Sequence, residues 1–142
     1  MQVSELMSSS VISVKPEDTA QTAARLLSRH NLGSMPVLSP EGKLRGIVTD
    51  RDIVLRCVAA EEDPEATTVK EIMTRGVACV APEDDVREAA RVMAEKKVRR
   101  LPVVNNGRVV GMLSLGDLAR SKMFDMEASR ALTDISENIK RM

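Results

Sequence analysis

The chain has 142 residues, with 21 Lys plus Arg against 21 Asp plus Glu, so its formal net charge is zero. That length suits one compact domain. The balanced charge and the single Phe, with no Tyr or Trp, give neither the basic footprint nor the base-stacking platform of a nucleic-acid binder. No apolar run approaches the roughly 18 residues of a membrane-spanning helix, and the first residues lack the basic region and apolar run of a secretory signal. A soluble, cytoplasmic protein with no membrane partner is expected. Cys57 and Cys79 do not form a Cys-x-x-Cys pair, which points to neither redox nor zinc chemistry.

The sequence repeats itself. Val3 to about Cys57 aligns with Val69 to about Lys122: Val-Ser-Glu-Leu-Met meets Val-Lys-Glu-Ile-Met, Pro16-Glu17-Asp18 meets Pro82-Glu83-Asp84, and Pro36-Val37 meets Pro102-Val103. Gly42, Gly46 and Asp52 meet Gly107, Gly111 and Asp117. A unit of roughly 60 residues buries too little surface to be comfortably stable alone, so the two halves are expected to share a core around a pseudo-twofold axis. Residues 1–62 are read as the first repeat, 63–68 as an acidic linker, 69–125 as the second repeat and 126–142 as a C-terminal amphipathic helix.

In chain order, residues 3–7 read as a helical turn and Val11–Val14 as a short strand. Pro16-Glu17-Asp18 is expected to open a helix, with Pro and an acidic residue where the first turn favours them. Ala20, Ala23, Ala24 and Leu27 then recur at the spacing of one buried helix face, as do Val86, Ala89, Ala90 and Met93. His30 and Asn31 close the first helix. Met35–Leu38 and Leu44–Val48 read as strands around the turn Ser39-Pro40-Glu41-Gly42, and Asn106-Gly107 marks a tighter second hairpin. Gly46 and Gly111 fall inside strands, where glycine marks a bulge or a close approach of backbone or ligand. The next helix is expected to turn Ile53, Val54, Cys57 and Val58 inward, and its counterpart Leu118, Ala119, Lys122 and Met123. In the tail, Ala128, Ala131, Leu132, Ile135 and Ile139 form an amphipathic pattern that packs on its own module or on a second subunit. His30 suits a helix end, and both cysteines read as packing residues.

Thr49-x-x-Asp52 and Ser114-x-x-Asp117 fit a capping box, in which each side chain satisfies an otherwise unpaired amide. The same geometry suits a ligand, because a carboxylate in the first helical turn can accept from both hydroxyls of a sugar through charge-assisted hydrogen bonds. The two readings are compatible. No Walker loop, nucleophile elbow, zinc motif or carboxylate dyad is present. No catalytic residue and no metal ligand is therefore assigned, and the chain is not expected to be an enzyme.

The doubled order strand–helix–strand–strand–helix resembles the cystathionine β-synthase (CBS) domain pair, or Bateman module. The resemblance rests on Met-Pro-Val and Leu-Pro-Val opening the middle strands and on the Thr-Asp-Arg-Asp and Ser-Leu-Gly-Asp endings. It covers nearly the whole chain apart from the last 20 or so residues, and is greatest to stand-alone bacterial pairs. It implies an α/β (α+β) fold of two β-α-β-β-α repeats and a two-lobed module, commonly dimerised, that binds adenosine nucleotides (AMP, ADP, ATP or related adenosyl compounds) in clefts between repeats. On that basis Asp52 and Asp117, with Thr49 and Ser114, would hold ribose. Ile12, Val14, Met35 and Pro36 would line one base site, and Ala78, Val80, Leu101 and Pro102 the other, although as core residues they need no ligand to explain them. Arg99 and Arg100 would meet phosphate, or are simply exposed at a strand end; their counterparts Gly33 and Ser34 cannot do this. One tighter site is therefore expected, with Arg56 and Arg120 as weaker candidates. No cofactor is required beyond a regulatory nucleotide. A homodimer that signals to an unknown protein target is expected, and a ligand-free scaffold is the alternative.

Overall fold

The computed structural model describes residues 1–120 and 130–136. A 3-10 turn at Val3–Glu5 precedes α1 (Ala20–His30), β1 (Ser34–Leu38), β2 (Leu44–Thr49), α2 (Asp50–Ile53), α3 (Val69–Ile72), α4 (Val86–Lys96), β3 (Arg100–Asn105), β4 (Arg108–Ser114) and α5 (Leu115–Ala119). Residues 130–136 are helical again. No helix among the described residues is long and apolar enough to cross a membrane.

The two long helices form where the apolar spacing requires them. Ala20, Ala23 and Leu27 of α1 are buried, and so are Val86, Ala89, Ala90 and Met93 of α4. The Thr19 hydroxyl accepts from the Thr22 amide, and the Asp85 carboxylate from the Arg87 amide, at the two N-termini. Asn31 and Lys97 end the helices in the left-handed conformation. On the solvent side of α4, Arg91 bridges Glu88 and Glu95. The hydrogen bond from Arg91 holds the Glu88 carboxyl below its usual range, but a solvated triad of this kind is screened and adds little to stability.

Each long helix leads into an antiparallel hairpin, β1–β2 and β3–β4, with Met35 opposite Val48 and Leu101 opposite Leu113. Asn106 and Gly107 both take positive φ, 53° and 80°, as a two-residue hairpin turn of right-handed twist requires. The expected first strand of each repeat is reduced to one bridging residue. Val14 pairs in parallel with Val37 and Val80 with Val103, each through two backbone hydrogen bonds to the adjoining hairpin.

Two compact units result, and they do not follow the linear repeats. One is Ile12–Val77; the other is Met1–Val11 together with the described residues from Ala78 onward. Each repeat's opening segment is therefore built into the unit that holds the other repeat's hairpin. In the first unit Thr74 exchanges both backbone hydrogen bonds with Ile47, at 2.8 and 2.9 Å; in the second Ser8 does the same with Met112, at 2.9 Å each. Val69, Ile72 and Met73 enter the core of the first unit, and Val3 that of the second. A Cβ on Gly46 would lie 2.6 Å from the Thr74 carbonyl oxygen, and one on Gly111 2.8 Å from that of Ser8. These two glycines are what let the opening segment lie against the hairpin edge.

The same exchange corrects the expected helix start. Pro16-Glu17-Asp18 does not open α1 but forms a turn closed by the Asp18 carboxylate on the Lys15 amide. The carbonyls of Pro16 and Asp18 accept from Lys70 and Val69, as those of Pro82 and Asp84 accept from Ser4 and Val3. Backbone groups used to dock another segment are not free to start a helix, so α1 begins two residues later, at Ala20. A second correction concerns the helix after β2. It continues as a π-turn over Val54–Val58; Ile53 before that turn and Cys57 within it are buried, but Val54 and Val58 are 54% and 61% exposed. Cys79 is also exposed rather than packed.

In the second unit Leu118 is fully buried and Ala119 exposed, while Lys122 and Met123 lie outside the described residues. Of the tail pattern, Ala131 and Ile135 are buried and Leu132 is exposed. Ala131 joins the core of the second unit, so this helix packs on its own module. Ala128 and Ile139 lie outside the described residues.

Candidate functional site

Both signature aspartates stand where a central strand gives way to a helix. Thr49 ends β2 in an extended conformation, and its hydroxyl accepts from the Asp52 amide at 2.9 Å while the Asp52 carboxylate accepts from the Thr49 amide at 3.0 Å. Ser114 and Asp117 repeat this reciprocal box at 3.1 and 2.8 Å. The capping reading is thus realised in both units, and it fixes each carboxylate at the first turn, where amide dipoles favour negative charge.

The two carboxylates differ in their other partners. Asp52 is buried, 7% exposed. Its two oxygens share the Thr74 hydroxyl, at 3.1 and 3.3 Å, and Oδ1 lies 3.8 Å from Arg56. Arg56 in turn donates to the carbonyls of Ile72 and Met73, at 3.0 and 3.1 Å. Asp117 instead takes a hydrogen bond from Arg120, whose side chain is 74% exposed. Thr74 went unnoticed in the sequence reading. The available signal was its place directly after Met73, matching Ser8 after Met7; its sequence distance from Asp52 gave no hint of contact.

The strand that faces each carboxylate turn carries a second difference. The Asp50 amide donates to the Gly33 carbonyl at 3.0 Å, and the Leu115 amide to that of Arg99 at 2.8 Å. Ser34 pairs with Thr49, and Arg100 with Ser114; directly opposed residues of an antiparallel pair share one face. The first unit therefore sets Gly33, Ser34 and the additional acid Asp50 around its carboxylate turn, whereas the second sets the exposed Arg99 and Arg100 there. In the first, Asp50 and Asp52 are balanced by Arg51 and Arg56; in the second, Arg99, Arg100 and Arg120 outnumber Asp117, which makes it the more basic of the two.

The residues expected to line a base divide by depth. Val14 and Met35 belong to the core of the first unit, and Val80 and Leu101 to that of the second. Pro36 and Pro102 are buried too, while Ile12 and Ala78 are half-buried at the core edge. His30 is exposed in the last turn of α1. Among the described residues, no three His, Cys, Asp or Glu side chains come together in a way that could hold a metal ion.

A family model described as "CBS domain" matches residues 3–58 and again 69–123. The chain is similar to the CBS domain-containing protein YhcV of Bacillus subtilis, 40% identical over 94% of both chains. Among solved structures, Hypoxic Response Protein I with two coordinated zinc ions aligns at TM-score 0.79 and 32% identity, covering 84% of this chain and 98% of that one. The CBS domain pair of protein MJ0100 in complex with 5-methylthioadenosine and S-adenosyl-L-methionine aligns at TM-score 0.75 and 30% identity, covering 84% and 94%.

Proposed function

This chain belongs to the CBS domain family, and from that premise we propose that it is a regulatory sensor of adenosine compounds rather than an enzyme. The observation that carries the reading is the pair of capped carboxylates, Asp52 and Asp117, each at the strand-to-helix turn that follows a hairpin. Each is an anionic acceptor on a rigid scaffold, the kind of group that a vicinal diol satisfies with two hydrogen bonds. The adenosyl ligands of the MJ0100 pair support the ligand class. The base would rest on the aliphatic edge of Ile12 and Pro36, or of Ala78 and Pro102.

The difference in charge divides the ligands. Arg99, Arg100 and Arg120 suit phosphate, since guanidinium forks match its oxygens. The turn carrying Asp50 and Asp52 suits an adenosyl compound without phosphate. Signalling follows if filled and unfilled sites favour different conformations, because a ligand shifts an equilibrium only by its differential affinity. The output passes to a protein target.

Calorimetry with AMP, ATP and 5-methylthioadenosine tests this reading. Because the chain has no Trp or Tyr, an adenine ultraviolet band in the purified protein would report a co-purified ligand directly. The expected result is micromolar binding of at least one compound, with ATP outranking 5-methylthioadenosine at the Asp117 site and salt weakening only the former. A protein free of adenine absorbance that also gives no heat with any of the three supports the scaffold alternative.

The self-association we propose uses Val54, Leu55 and Val58, which are 54%, 50% and 61% exposed on one short helical stretch. Clustered apolar exposure of this kind suits burial against a second copy. Val58→Glu is expected to shift the mass measured by light scattering from dimer to monomer; an unchanged mass would remove this face from the interface.

A further inference from the structure

Resting on the sensor reading, we propose that Thr74 is a latch: its hydroxyl competes with a ligand's sugar hydroxyls for Asp52, and so couples occupancy of that site to the pairing of the segment leading out of the first unit. A carboxylate has about four acceptor positions; at Asp52 an amide and a shared hydroxyl already use about two of them, and a guanidinium stands close by. Oδ2 accepts from the Thr49 amide and the Thr74 hydroxyl, while Oδ1 accepts from the same hydroxyl and faces Arg56. Burial leaves few further directions of approach, so a diol gains its two hydrogen bonds only by turning the Thr74 hydroxyl away.

Thr74 and Arg56 also help to tie the end of the exit segment down, beyond the core contacts of Val69, Ile72 and Met73. Thr74 carries the backbone pairing with Ile47, and Arg56 holds the carbonyls of Ile72 and Met73. One carboxylate thus orients both the side chain on the bridging residue and the cation over the two carbonyls before it. The first unit ends at Val77. Between latch and exit lies Gly76, at φ +68° with nothing within 4 Å of where its Cβ would be, so no packed side chain at that position resists movement of the backbone. The second unit supplies a comparison. Ser8 makes the equivalent backbone pairing, but its hydroxyl donates to the Ser10 carbonyl at 3.4 Å, and Asp117 is held by Arg120 instead. The latch belongs to one of the two carboxylates.

The test uses the full chain, with the Asp117 site silenced by Asp117→Ala, and titrates 5-methylthioadenosine and AMP by calorimetry. Thr74→Val keeps a β-branched residue in the pairing position and removes the hydroxyl. It is expected to tighten binding about 3- to 10-fold, the reciprocal of the coupling it abolishes, whereas Ser8→Ala leaves affinity unchanged. Amide hydrogen exchange at Ile47 and Thr74 gives a second readout. Saturating ligand is expected to lower protection there in the parent chain and to change it no further in Thr74→Val. Thr74→Ser, which keeps the hydroxyl, should behave as the parent, and Thr74→Ala replaces the valine variant if that fails to fold. Binding that is unchanged or weaker in Thr74→Val overturns the latch while leaving the sensor reading intact. Failure of both parent and variant to bind either compound overturns the sensor reading and the latch with it.

Discussion

Gly46→Ala is expected to lower the unfolding free energy by about 3 kcal/mol, the sum of overpacking strain and weakened pairing. The new Cβ would stand 2.6 Å from the Thr74 carbonyl oxygen and 3.0 Å from Met73 Sδ. The sulfur sits on a flexible side chain and can yield; the carbonyl cannot, because it accepts from the Ile47 amide at 2.9 Å. Relief therefore requires the opening segment of the second repeat to move off β2, giving up hydrogen bonds worth roughly 1 kcal/mol each. The gain from stiffening the unfolded chain, about 0.4–1 kcal/mol, is too small to offset this. Gly116→Ala sets the opposite sign. In α5 its Cβ would meet Ser114 Oγ at 3.6 Å and Arg120 Nη1 at 3.8 Å, ordinary contacts, so helix propensity dominates and stability rises by about 0.5 kcal/mol. Urea unfolding followed by far-ultraviolet circular dichroism measures both. A Gly46→Ala midpoint equal to that of the parent would mean that the segment carrying Thr74 does not press on the hairpin.

That close approach also marks what the sequence disclosed and what it hid. Gly46 and Gly111 announced a near neighbour, because a glycine inside a strand weakens pairing unless something needs the space. They could not say which backbone arrives. Repeats that exchange their opening segments have the same internal pattern as repeats that keep them, so the docking of Val69–Thr74 beside β2 leaves no periodic trace. The helical faces of α1 and α4 were legible because 3.6-residue spacing forces burial on one side. The capping boxes were legible because they are local. Pro16-Glu17-Asp18 looked like a helix start because its residue types satisfy first-turn preferences; the carbonyls that dock Val69 and Lys70 are a tertiary demand that no local rule sees. Val54 and Val58 fell to the same limitation. Apolar spacing predicts a face, but a partner outside one chain can claim it as readily as the core. At the candidate site, the carboxylates and the asymmetry of Arg99 and Arg100 against Gly33 and Ser34 could be read from the sequence, whereas Thr74 required the fold.

Removing the carboxylates is expected to produce the largest functional loss. Two charge-assisted hydrogen bonds from a sugar diol are worth about 2–3 kcal/mol beyond what water restores, so Asp117→Ala should weaken its site roughly 30- to 150-fold. The fold should tolerate this, because Asp117 contributes one half of a capping box and a solvated contact with Arg120, a loss of about 0.5–2 kcal/mol. Asp52→Ala is a harsher change, since it removes at once the acceptor of the Thr49 amide, that of the Thr74 hydroxyl and the charge facing Arg56. Asp52→Asn is the cleaner probe there: it retains a carbonyl oxygen for the cap, removes the charge, and leaves the two hydroxyls of a diol without a charged pair of acceptors. Calorimetry on the single variants assigns each heat to one carboxylate, and the double variant should bind nothing measurable. If the double variant keeps the affinity of the parent while melting at a lower temperature, the aspartates only cap helices and the ligand, if any, sits elsewhere. If affinity is lost and the melt barely moves, the cap geometry serves as the mount for a receptor group.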